Sequence, residues 1–144
     1  MKQSLNEMAK DIHELAVKKG WWNGGVGKSL PEILMLCVSE LSEALEEHRN
    51  ASPPFYMGCK LGLICTPAAL EGRTCPDRTL DAAAAGEPCN YSTGKPQGVA
   101  VELADCIIRI LDYCAWAGID IEEVIITKHE YNKSRPYRHG GKVC

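Results

Sequence analysis

The chain has 144 residues, 45% of them hydrophobic and 24% charged, with a formal net charge of -3. That is the make-up of a globular protein of about one domain rather than a disordered or fibrous chain, and the negative charge excludes general affinity for nucleic acid. No apolar run reaches membrane-spanning length and Met1-Lys2-Gln3-Ser4 opens on no apolar leader, so the expectation is a cytoplasmic protein with no membrane partner. Its eight cysteines are then expected as reduced thiols, buried or metal-bound.

Leu5, Met8, Ile12 and Leu15 recur three or four residues apart between Ser4 and Lys18, which predicts a first helix ended by Gly20. After Trp21 and Trp22 comes Asn23-Gly24-Gly25-Val26-Gly27-Lys28-Ser29, a string like a phosphate-cradling P-loop. A P-loop needs a strand before it and a parallel sheet behind it, and its first glycine would fall on Trp22. The string is therefore read as a connector between helices.

Ser29-Leu30-Pro31-Glu32 has the serine, glutamate and early proline of a capping box. It predicts a second helix to about Arg49 on the face Ile33, Leu34, Cys37, Leu41, Ala44 and Leu45. Residues 51–97 are dense in proline and glycine and read as an insert, mostly loop. The insert carries Cys59, Cys65, Cys75 and Cys89, whose gaps of five, nine and thirteen residues are not the paired knuckles of structural zinc. Val99, Leu103, Cys106, Ile107, Ile110, Leu111 and Cys114 predict a third helix ended by Gly118. Asp120 caps a fourth through about Asn132, and a basic tail occupies 136–144. The expected fold is all-α: one domain over 1–144, a four-helix bundle with a long loop-rich insert between helices two and three.

Two of these helices carry acidic stripes: Glu40, Glu43 and Glu47 on the second, and Glu102 and Asp105, continued by Arg109 and Asp112, on the third. Their neighbours are apolar, and burying several carboxylates together is prohibitive unless a cation neutralises them. Hard oxygen ligands in that number suit Mg²⁺ or Mn²⁺, and magnesium commonly shares its shell with substrate phosphates.

The segments "SELSEALEEHR" (39–49) and "ELADCIIRILDYC" (102–114) resemble the Glu-x-x-Glu and Glu-x-x-Asp pair of the MazG-like nucleoside triphosphate pyrophosphohydrolases. "KHEYNKSRPYRHGGK" (128–142) is similar to the Lys-x-x-x-Asn segment and basic tail of the short bacterial and phage members. The matching segments cover about half the chain. Ser39 stands where the family often has a first glutamate, and the linker between the motifs is longer than usual.

The resemblance implies that Glu40, Glu43, Glu102 and Asp105 hold two or more Mg²⁺ ions, with Mn²⁺ as the alternative, and are the catalytic set. Glu43 or Glu47 is the expected general base. Lys128, Asn132 and Arg135 are expected to meet the triphosphate, Tyr131 to add a hydroxyl, and Trp22 of the Trp21-Trp22 pair to stack on the base. The implied reaction converts a (d)NTP, with dGTP or dATP as the family-level expectation, to the (d)NMP and pyrophosphate in a homodimer or homotetramer. The reading that competes is a non-catalytic helical interaction module with a zinc-binding insert.

Overall fold

Residues 3–22, 28–58, 64–65 and 95–137 are described in the computed structural model, 64–65 by backbone alone. Most of the glycine string, most of the insert with Cys59, Cys75 and Cys89, and the tail beyond Tyr137 lie outside the described residues.

The described residues are mainly helical: α1 (Leu5–Lys18), α2 (Leu30–Arg49), α3 (Val99–Ala117) and α4 (Ile121–Lys133). Four of these boundaries have a local cause in the residues beside them. Ser4 and Glu7 form a reciprocal capping box ahead of α1. Before α2, the Ser29 backbone N–H and hydroxyl both donate to Glu32 Oε2 at 2.7 Å. Gly118 ends α3 with φ 68, and the Asp120 carboxylate accepts the Glu123 N–H at 3.0 Å to start α4. A side-chain cap of this kind is worth about 1 kcal/mol.

The chain divides into two compact units, residues 1–33 with 108–144 and residues 34–107. In the first, α1 meets the start of α4 through Asn6, whose amide donates to Asp120 Oδ1 at 2.7 Å and accepts from the Glu122 N–H at 3.4 Å. In the second, α2 and the first half of α3 meet where the Cys37 thiol donates to the Cys106 carbonyl at 3.9 Å.

The second unit also adds short strands to the segment read as mostly loop. Its described margins form a three-stranded antiparallel sheet of β1 (Tyr56–Gly58), β2 (Ile64–Cys65) and β3 (Lys95–Gln97), in the order β2-β1-β3. Tyr56 pairs with Gln97, Met57 with Pro96 and Gly58 with Lys95. Pro96 is tolerated because β3 is an edge strand, where a missing N–H leaves no ladder bond unmade. Gly98 then turns the chain into α3 with φ 104.

The buried positions correct an expectation. Along α2 they are Ile33, Cys37, Glu40 and Ala44, while Leu34, Leu41 and Leu45 are exposed. On α3, Cys106, Leu111 and Cys114 are buried with Glu102 and Asp112, while Leu103, Ile107 and Ile110 are exposed. On α1, Ala9 is buried and Met8 and Leu15 are exposed. Helices α2 and α3 are apolar on more than one side, so spacing alone does not single out the stripe that tertiary packing buries.

Candidate metal centre

The buried stripe of α2 runs Ile33, Cys37, Glu40, Ala44, in steps of three and four, so it carries a carboxylate where apolar spacing alone would not place one. On α3, Glu102 lies in the first turn, with Asp105 one turn on at the same face. Glu40 and Glu102 are only 5% and 7% exposed, and Asp105 is half-buried. One carboxylate oxygen from each of the three lies within 4.8 Å of the others.

Three carboxylates cannot share such a space as full anions without cost. Burial raises the affinity of Glu102 for its proton, and the charges of Glu43, Asp105 and Glu40 raise it further, in that order. Lys95, on β3, opposes them. A hard divalent cation would relieve the same repulsion, and the donors are all oxygens, so this set fits magnesium or manganese.

Glu43 is exposed at the margin of the stripe, and accepts a hydrogen bond from the Ser39 hydroxyl at 3.4 Å. It stands outside the set of three, close enough to act on Glu102 through its charge. Ser39 thus contacts a member of the expected site.

Glu47 has partners that the sequence reading missed. The Tyr56 hydroxyl lies 3.3 Å from both Glu47 oxygens and 3.2 Å from Gln97 Oε1. Burial, followed by the charge of Glu47, pushes the Tyr56 hydroxyl up from its ordinary value, and the Glu102 charge adds to the effect. The hydroxyl therefore stays protonated at neutral pH. No motif pointed to Tyr56, since it belongs to the segment read as loop.

The expected nucleotide contacts lie in the unit of residues 1–33 and 108–144. Lys128 Nζ sits 4.9 Å from the centre of the Tyr131 ring and the Arg135 guanidinium 5.9 Å from it, so the two cations and the ring converge. Asn132 is exposed, and its carbonyl accepts the Arg135 N–H at 3.2 Å.

Trp22, expected to stack on a base, is engaged elsewhere. Its indole N–H lies 3.0 Å from both oxygens of Asp112, and its ring stacks on Trp116 at 5.3 Å and meets the edge of His13 at 5.1 Å. His13 Nδ1 is in turn 2.7 Å from Asp112 Oδ1. Asp112, grouped in the sequence with the Glu102 stripe, is thus a buried acceptor for an imidazole and an indole. Trp21 is 64% exposed, with Lys28 Nζ 4.9 Å above its ring. Of the two tryptophans, the geometry leaves Trp21 the more open face.

In comparisons with known proteins, no family model matches the chain, and neither a curated protein nor a solved structure matches it significantly.

Proposed function

We propose that the chain is a Mg²⁺-dependent nucleoside triphosphate pyrophosphohydrolase of the MazG-like, all-α bundle type. It converts a (d)NTP, with dGTP or dATP as the first to test, to the (d)NMP and pyrophosphate. The observation that carries this reading is the convergence of Glu40, Glu102 and Asp105 within 4.8 Å in a buried setting, at the positions of the Glu-x-x-Glu and Glu-x-x-Asp motifs.

These three residues would hold Mg²⁺ or Mn²⁺, with Glu43 at the edge of the set. When bound, such ions neutralise the triphosphate's charge and make a water molecule more acidic. In the reaction, a water oxygen forms a bond to the α-phosphorus and the α–β bridging bond breaks. Pyrophosphate leaves with the bridging oxygen and its electron pair, and the water proton passes to a carboxylate base. Lys128 and Arg135 are cations suited to the phosphates, with Tyr131 and Asn132 beside them. Exposed apolar side chains on α2 support assembly with further copies of the chain, as a homodimer or homotetramer in the cytoplasm, with neither nucleic acid nor membrane as partner.

The test is incubation of the purified protein with Mg²⁺ and each (d)NTP in turn, resolving all nucleotide and phosphate products. The expected outcome is (d)NMP plus pyrophosphate, lost by at least about 100-fold in Glu102→Gln and Asp105→Asn and retained in Lys28→Ala. A folded protein that turns over no nucleotide would refute the reading and favour the interaction module, which the exposed apolar side chains also suit.

A further inference from the structure

Antiparallel pairing places Tyr56 directly opposite Gln97, and Gly58 opposite Lys95. Side chains alternate along a strand, so these four positions share one face of the small sheet. That face reaches the acidic residues: the Tyr56 hydroxyl meets the Glu47 carboxylate, and Gln97 Oε1 lies 3.2 Å from the same hydroxyl. Gly58 is what makes room for it, since a Cβ there would stand 2.0 Å from the Gln97 amide nitrogen. Glu47 itself follows Glu40 and Ala44 by seven and three residues, on the stripe that α2 buries.

We infer that Tyr56, held in register by its pairing with Gln97, clamps Glu47, so that Glu47 is the carboxylate that takes the water proton in the proposed hydrolysis and Tyr56 is its positioning residue. The inference rests on the proposed activity and adds to it a role for the insert. Glu43 is exposed, and among the described residues it is met by the Ser39 hydroxyl, whereas Glu47 is oriented by a buried phenol. A base must keep its oxygen within hydrogen-bond reach of the attacking water, and a fixed carboxylate does so at lower entropic cost than a mobile one. The second hydrogen-bonding layer around a reactive group typically changes its performance by 10- to 100-fold.

The experiment measures kcat and KM for the best (d)NTP in wild type, Tyr56→Phe, Glu47→Gln and the double variant, with melting curves as a check on folding. Calorimetric titration of each protein with Mn²⁺ alone runs beside it. Expected are a fall in kcat of about tenfold for Tyr56→Phe and about 100-fold for Glu47→Gln, with KM and Mn²⁺ affinity unchanged. In the Glu47→Gln background, Tyr56→Phe should have no further effect, because the phenol acts through the carboxylate. Wild-type kcat in either single variant would overturn the clamp, as would effects that multiply in the double variant. Loss of Mn²⁺ affinity in Glu47→Gln would make Glu47 a metal ligand and overturn its role as base. Should Tyr56→Phe fail to fold, Glu47→Gln decides alone. A wild type that hydrolyses nothing while binding Mn²⁺ overturns the activity itself, an outcome distinct from active wild type with indifferent variants.

Discussion

Glu102 is where burial and neighbouring charge push a carboxyl in the same direction, toward holding its proton. Below the unfolded value of about 4.3 the group is neutral in both states, and its contribution to stability is complete. As pH rises through the higher folded value, the folded state must give up a proton it holds more tightly than the unfolded chain does. This part of the stability is therefore lost with increasing pH. Glu7, Glu32 and Asp120 act oppositely, because capping hydrogen bonds hold them below their ordinary values. The quantity to measure is thus the difference between wild type and Glu102→Gln in thermal melts with EDTA, from pH 4 to pH 8. Wild type should lose stability relative to the variant toward pH 8, and Mg²⁺ should raise its melting temperature more at pH 8 than at pH 5. A pH-independent difference would show that the folded protein does not perturb Glu102. Helical spacing grouped Glu40 with Glu43 and Glu47, and Glu102 with Asp105, but did not tell which of them converge. The burial of Glu40 and the exposure of Glu43 were not legible, because they depend on which stripe of α2 packing buries. Nor was the tie from His13 and Trp22 to Asp112, which joins residues 99 and 90 positions apart.

At the scale of elements, the four helices were legible to within a few residues because their ends are written locally, in Ser29-x-x-Glu32, Asp120 and Gly118. The strands were not. Tyr56–Gly58 is too short to show alternation, and Pro96 argues against a strand until the partner order shows that it lies at an edge. The join between sheet and helix depends on Gly98, where a Cβ would come within 2.6 Å of the Pro53 carbonyl oxygen and 2.7 Å of that of Pro54. Nearby, the Ala100 N–H donates to the same Pro54 oxygen at 2.9 Å, so the carbonyl cannot turn away without loss. Gly98→Ala combines this clash with a left-handed backbone, and should cost about 2 kcal/mol or more. Urea denaturation would register the change, and a midpoint equal to that of wild type would show that the segment shifts freely.

At the scale of the molecule, the number of large apolar side chains left in contact with solvent is the dominant fact. Within residues 34–107 these include Leu34, Met35, Val38, Leu41, Leu45, Leu103 and Ile107, on helices that also bury carboxylates. A monomer seldom exposes so much apolar surface, and association with another copy would remove it from water at about 25 cal/mol per Å². Sedimentation equilibrium should therefore give a multiple of 15.8 kDa. The double change Leu41→Glu and Leu45→Glu should shift it toward one chain. A wild type that sediments as a single chain at micromolar concentration would overturn the assembly.

The pairing of Tyr56 with Gln97 bears on how this sequence could have come about. An excursion that leaves and returns at adjacent residues presents the two helices with the same pair of ends, whatever runs between. Its closure entropy grows only logarithmically, at about 0.6 kcal/mol for each doubling of length. Lengthening by insertion is thus nearly neutral for the helical scaffold, provided the hydrogen-bonded residues at the two ends are kept. The long span between the two acidic stripes then needs no redesign of the helices that carry them.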